Sequence, residues 1–215
     1  MACFSPLHGW YGWTLTENGK RPVVFSQKDG FADRPVDVPC GYCIGCRLDR
    51  ARQWTIRCMH EASLYDDNCF VTLTYKDDPY SLNSEDIQCF FKRLRSRIYP
   101  ANFRYIQVGE YGEQFARPHH HAVLFGYRPD DCVPVTSGAH PLCGSSFLTD
   151  VLGHGHVTVG VVSTDSIAYV CRYTLKKLGI DPKSHYCDRR PEFISMSRRP
   201  GIGMRWMSQF SDEVS

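Results

Sequence analysis

Pro118-His119-His120-His121-Ala122-Val123-Leu124-Phe125-Gly126 is the stretch from which the rest of the chain can be read. Its short apolar run bounded by Pro and Gly predicts a strand over 119–125. Alternate side chains of a strand share a face, so His119 and His121 project together about 6–7 Å apart along the backbone, while His120 points the other way. Two imidazoles so placed can converge on one divalent ion. Three consecutive histidines also occur on solvated faces, and a nearby acid is what favours a metal. Glu110 and Glu113 lie at or near the end of the preceding strand, predicted over 103–108, and an antiparallel return brings a carboxylate beside the imidazoles. The tail of a strand is held more rigidly than a loop, so Glu110 is the preferred third ligand and Glu113 the alternative. Two His and one carboxylate leave coordination positions open for water or a phosphate oxygen, the mark of a reactive site rather than a closed one.

Working outward, Leu48, Ala51, Trp54, Cys58 and Ala62 fall at helical spacing, predicting an amphipathic helix over 44–65. FVTLTY at 70–75 predicts a strand. Asn83 or Ser84 caps a helix carrying Ile87, Phe90, Phe91, Leu94 and Ile98, which Pro100 ends. A strand is expected over 157–162, and a helix capped by Thr164 or Asp165 runs through Leu178 to Gly179. Residues 1–39 read as loops and short hairpin pieces, and about 127–150 as an insertion loop. The order β-α-β-β-β-α predicts an α+β fold with an antiparallel central sheet and helices on one face. The expected division is 1–66, a Cys-rich segment with its long helix, and 67–215, the core.

At 215 residues, 42% hydrophobic and 22% charged, the chain is long and apolar enough for one packed domain with an appendage, which excludes wholesale disorder. No run of 18 apolar residues occurs, and MACFSPLHGWYGW lacks a basic segment followed by an apolar one, so neither a membrane span nor a secretion signal is expected and the cytosol is the default. Eleven cysteines, an odd number, include the bunched Cys40, Cys43 and Cys46, which suits reduced thiols and a zinc site better than a disulfide framework. Tetrahedral zinc needs a fourth ligand. Cys3 is preferred, with His8 and Cys58 as alternatives. Cys132 and Cys143 share one loop and can pair or bind metal, and His154 and His156 alternate like ligands but lack a flanking acid. Net charge is only +2, yet residues 166–215 hold nine Lys/Arg against five Asp/Glu, and Arg47, Arg50, Arg52 and Arg57 follow the cysteines. Such patches are compatible with a polyanionic partner.

On the last predicted helix, Tyr169 and Tyr173 share a face about 6 Å apart along the axis, with Lys176 near it. Tyrosines at this spacing are usually core. Beside an ion that grips phosphate they have a chemical use, because a phenol of pKa ≈ 10 can attack phosphorus once the phosphodiester charge is neutralised.

FVTLTY, the GEYG…RPHHHAVLFG block and YVCRYTLKK resemble, in order and spacing, the three motifs of HUH endonucleases, the rolling-circle replication initiators. PCGYCIGCRLDRARQWTIRC and SRRPGIG are similar, more narrowly, to the initiators of microviruses, particularly the gokushovirus branch, and the likeness runs from Cys3 to Trp206. It implies an RRM/ferredoxin-like HUH core and Mg²⁺ or Mn²⁺ on His119 and His121 with a nearby acid. It also implies tyrosines that nick single-stranded DNA at a replication origin, leaving a 5′-phosphotyrosine link and a free 3′-OH. The family's Tyr-x-x-Lys spacing falls on Tyr173 and Lys176, making Tyr173 the first nucleophile and Tyr169 its partner. The middle residue of the family's His-x-His motif is usually bulky and apolar, and here it is His120. Arg47, Arg50, Arg172, Lys177, Arg198 and Arg199 are the expected DNA-backbone contacts, and the expected location is the cytoplasm of an infected bacterial host. No GxxxxGK[ST] phosphate loop is present, so strand separation falls to a host helicase, with a host polymerase extending the 3′ end. Two readings compete: a non-catalytic zinc-containing nucleic-acid-binding module, and a plasmid relaxase or transposase of the same superfamily.

Overall fold

The strand of the three histidines, β6 (Pro118–Phe125), lies between two others in antiparallel register: β5 (Arg104–Tyr111), which pairs Val108 with His121 and Glu110 with His119, and β4 (Asn68–Tyr75), which pairs Thr72 with His121. A computed structural model describes residues 3–138, 141–173 and 186–214, apart from the side chains of Tyr173 and of 212–214. The sheet gains β7 (Val133–Pro134), β8 (Cys143–Gly144), β9 (Gly155–Gly160) and β10 (Phe193–Met196), and its seven strands run β10-β5-β6-β4-β9-β8-β7. Every pairing is antiparallel.

Five α-helices occur among the described residues: α1 (Ile44–Ala62), α2 (Ser84–Arg97), α3 (Ser146–Leu152), α4 (Thr164–Tyr173) and α5 (Met204–Val214). Asn83 caps α2 by accepting from the Glu85 amide at 3.1 Å, and Glu85 and Asp86 sit in the first turn where the helix dipole favours acids. Ser145 caps α3 by accepting from the Leu148 amide at 3.0 Å, and Gly153, at φ 80°, ends it in the left-handed conformation that costs glycine nothing.

The expectation of helices on one face is corrected here, because they cover both. Cys69, Val71, Leu73, Ala122 and Leu124 pack with Ile87, Phe90 and Leu94 of α2 and with Leu148 and Val151 of α3. The other face carries Ile106, Val108, Val123 and Phe125 against Cys58 of α1, Ile167 and Val170 of α4, and Ile202. Ala122-Val123-Leu124-Phe125 is apolar without alternation, and such a run belongs to a strand covered on both sides. Full burial of each large apolar side chain contributes about 1.5–3 kcal/mol, so the two layers fix the strand register firmly.

The insertion loop expected over 127–150 is also corrected: it holds the β7–β8 hairpin, across which Cys132 and Cys143 are disulfide-paired, and the start of α3. Residues 1–39 contain a three-stranded sheet, β2-β1-β3, with β1 (Leu7–Gly12), β2 (Val23–Val24) and a nine-residue β3 (Gly30–Val38), rather than hairpin fragments alone. The predicted strand over 157–162 begins two residues earlier, and the predicted helix beyond Tyr173 lies outside the described residues. Two compact units result, Met1–Arg50 and Ala51–Ser215, divided within α1, whereas the expected division falls after residue 66.

Candidate functional site

Register alone places Glu110, His119 and His121 together. Glu110 and His119 are directly paired, His121 is two residues along the same face, and all three face the layer containing α4. The carboxylate is at the centre. Glu110 Oε1 lies 2.8 Å from His119 Nε2 and 3.1 Å from His121 Nε2, and it accepts a 2.8 Å hydrogen bond from the Tyr169 hydroxyl. The ligand atoms of the three residues all fall within 4.8 Å of one another. Glu113, the alternative third ligand, is outside this cluster.

Each ring is held at its far nitrogen. Thr72 Oγ1 is 2.9 Å from His121 Nδ1, and the Arg117 carbonyl is 3.1 Å from His119 Nδ1, which leaves both Nε2 atoms facing Glu110. Burial pushes the Glu110 carboxyl up, but the His119 and His121 side chains, with Tyr169 adding, hold it down to about 2, so it is ionised at neutral pH. Burial pushes His121 down against the pull of the same carboxylate, which favours the neutral imidazole a metal requires. Glu110 Oε2 and His121 Nε2 are buried without a hydrogen-bond partner. Two unsatisfied acceptor-capable atoms at the focus of a His₂-carboxylate set fit a divalent cation, which supplies the missing partner.

Alongside His121 and Tyr169 opens a groove of about 650 Å³, lined also by Phe70, Leu142, Ser166 and Arg172. The Arg172 side chain is exposed on α4. Arg198 and Arg199 are exposed between β10 and α5, and Arg47 and Arg50 lie in α1 within the first unit. The Tyr173 side chain, Lys176 and Lys177 fall outside the described residues, so Tyr169 is the tyrosine whose position is defined.

His120 faces the opposite layer. Its Nε2 is 3.1 Å from the Tyr75 hydroxyl, which donates to Asp86 at 2.8 Å, and its Nδ1 is buried without a partner. Burial, aided by the neighbouring histidines, depresses it to about 3, so it stays neutral. His154 stacks on Tyr75 at 5.2 Å, and neither His154 nor His156 joins a ligand cluster among the described residues.

Three functional side chains escaped the sequence reading. Thr72 was legible in principle, since it shares the strand face of His121. Glu61 and Arg104 were not, because nothing local pairs a helix acid with a strand arginine. Arg104 donates to Glu61 at 2.6 Å and to the Pro200 carbonyl at 2.6 Å, and Glu61 accepts from the Gly203 amide at 2.7 Å. This buried ion pair ties down the SRRPGIG segment that bears Arg198 and Arg199.

The second cluster is Cys3, Cys40, Cys43 and Cys46, whose sulfurs also lie within 4.8 Å of one another. The alternatives lie elsewhere: His8 is bonded to Asp37, and Cys58 is buried in the core.

A large antiparallel sheet with a His₂-carboxylate cluster and an adjacent tyrosine agrees with what the family comparison finds. The family model for replication-associated protein ORF2 matches residues 68–178, just over half of the chain, and the chain belongs to that family. Its relatives include replication-associated protein VP4 of Bdellovibrio phage phiMH2K, 36% identical over all of this chain and 70% of that protein. Replication-associated protein ORF2 of Spiroplasma virus 4 is 32% identical over 82% of this chain and 59% of its own length, and ORF4 of Chlamydia phage 1 is 29% identical over 77% and 45%. The chain thus spans less than two thirds of two of these relatives. No solved structure matches it. No helix among the described residues is long and apolar enough to cross a membrane.

Proposed function

We propose that this phage replication-associated protein is an HUH-type endonuclease and strand transferase that nicks single-stranded DNA at a replication origin and joins itself to the 5′ end. The observation that carries the reading is the convergence of Glu110, His119 and His121 with the Tyr169 hydroxyl 2.8 Å from the shared carboxylate oxygen. His119, His121 and Glu110 would hold Mg²⁺ or Mn²⁺, which when bound supplies charge neutralisation for a scissile phosphodiester. Thr72 and the Arg117 carbonyl fix the imidazole rings, and Glu110 fixes the phenol. The groove beside His121 admits a nucleotide strand, with Arg172 at its wall to meet phosphate.

In the transfer, a tyrosine oxygen bonds to phosphorus as the bond to the 3′ oxygen breaks. The phenol loses one proton and the departing 3′ oxygen gains one, so the step is a redox-neutral transesterification. Tyr173, one turn along α4, is the second phenol and, by the Tyr-x-x-Lys spacing, the first to act. Two phenols allow a second cleavage while the first link persists, which is what release of a unit-length circle requires. Host helicase and polymerase would separate and extend the strands.

The test is incubation with Mn²⁺ and an origin-bearing single strand, read on a denaturing gel. A slower-migrating covalent species is expected, and it should vanish when Tyr169→Phe and Tyr173→Phe are combined. Persistence of the adduct in that double variant would refute the nucleophile assignment. Strand binding with no scission under any divalent ion would instead favour a binding module.

A further inference from the structure

The first unit, Met1–Arg50, lacks what ordinarily holds fifty residues together. Among its described residues the buried positions are Gly9, Gly12, Gly30 and Gly45, and no larger side chain there is buried. Trp13, Leu15, Phe25 and Tyr42 are more than half exposed. A unit of this size with no apolar interior usually depends on a metal or on disulfides.

Its four cysteines converge from three separate places: Cys3 near the N-terminus, Cys40 just beyond β3, and Cys43 and Cys46 at the start of α1. Cys3 Sγ lies 3.6 Å from Cys40 Sγ and 3.8 Å from Cys43 Sγ. Disulfide sulfurs are about 2.05 Å apart. Four sulfurs each about 2.3 Å from one tetrahedral ion are about 3.8 Å from one another, which is the spacing found. Backbone amides also point at the sulfurs. Phe4 N and Cys46 N donate to Cys43 Sγ at 3.4 and 3.5 Å, Cys43 N to Cys40 Sγ at 3.4 Å, and Cys40 N to Cys3 Sγ at 3.3 Å. Amides in this arrangement satisfy thiolates and orient them, as outer partners do around metal sites generally. Gly41, at φ 78°, makes the turn that brings Cys43 back toward Cys40, and the positive end of the α1 dipole favours thiolate at Cys43 and Cys46.

We infer that Cys3, Cys40, Cys43 and Cys46 bind one structural zinc ion, closed to substrate by four sulfur ligands, and that this ion is what holds residues 3–50 in their fold. The site shares no residue with the His₂-carboxylate cluster and does not rest on the nuclease reading.

The test uses the full chain, purified reduced and without chelator, with zinc counted by mass spectrometry of the metal. One equivalent per chain is expected, released as four thiols are titrated with a mercurial. Cys40→Ser and Cys43→Ser should each lose it, and His119→Ala with His121→Ala should retain it. If the cysteine variants are insoluble, X-ray absorption on the unaltered protein decides, with four sulfur neighbours at about 2.3 Å expected. Stripping the zinc should speed proteolytic cleavage within residues 3–50 at least about 10-fold, as loss of a fold-defining ion does. Less than a tenth of an equivalent of zinc, nitrogen or oxygen in its ligand shell, or disulfides linking these four cysteines would each overturn the assignment.

Discussion

The two clusters differ in what exists before an ion arrives. Glu110, His119 and His121 project from neighbouring strands at the centre of a seven-stranded sheet with a packed layer on each face. Their positions are set by ladder register and apolar burial. The four cysteines come from separate segments of a unit whose buried positions, among the described residues, are all glycine. An ion at the first site is added to a structure already complete, and an ion at the second is part of what makes the structure. A polar site that does chemistry can be open because something else holds it. A site that is itself the scaffold has to be closed.

The sharpest way to break this contrast is to remove ligands from the first cluster. His119→Ala with His121→Ala should lower covalent adduct formation by about 10³-fold or more, since an ion at phosphate contributes several kcal/mol to the barrier. The far-ultraviolet circular dichroism should be unchanged. A double variant that unfolds would place the site among the supports of the fold and erase the distinction.

Next in size is an effect on stability. Glu61 is fully buried and Arg104 nearly so. Breaking such a pair by removing one partner costs about 3–5 kcal/mol because the other charge remains buried. Glu61→Ala should therefore lower the melting temperature by roughly 10 °C. It should also free the Arg198–Arg199 segment, seen as weaker binding of single strands at moderate salt. An unchanged melting temperature would mean that water or another group replaces the carboxylate.

What the sequence disclosed divides along the same line. The shared face of His119 and His121, and Glu110 as their neighbour, were legible because strand alternation and antiparallel return are local rules. The helices on both faces were legible too, in the unbroken run Ala122 to Phe125, but a β-α-β-β-β-α order suggests a single covered face. Helix α3 had its signals in Ser145 and Gly153, hidden within a stretch rich in Pro and Gly. Strand β3, GFADRPVDV, has no apolar alternation, since nothing covers it, so periodicity had nothing to register. Glu61 and Arg104 stand 43 residues apart and meet only through tertiary packing.

A smaller change sharpens the first site from outside its ligand set. Thr72 touches His121 Nδ1 at 2.9 Å and no other part of the cluster is bonded to its hydroxyl. Thr72→Val keeps the volume and removes the hydrogen bond. Loss of an outer partner of a ligand histidine typically costs about 10–100-fold in metal affinity. The concentration of Mn²⁺ needed for half-maximal adduct should rise by that factor, with the maximal rate nearly restored at saturation. A lower plateau at saturating metal would instead place Thr72 in contact with the reacting strand.

The smallest effect expected is at His120, and it bears on whether the two faces of β6 act independently. His120 lies between the two candidate ligands in sequence, yet it points into the layer of α2 and α3, against Tyr75 and Phe193. Its Nδ1 is buried without a partner, at a cost of about 1–3 kcal/mol, against which stands one hydrogen bond from Nε2 to Tyr75. His120→Leu removes both, and Tyr75 keeps its bond to Asp86. Stability should therefore change little, and nicking by less than about 3-fold, or ~0.7 kcal/mol in barrier. A 10-fold loss of nicking with melting unchanged would mean that the far side of the strand transmits strain to His119 and His121, so that the layer under the site also sets its geometry.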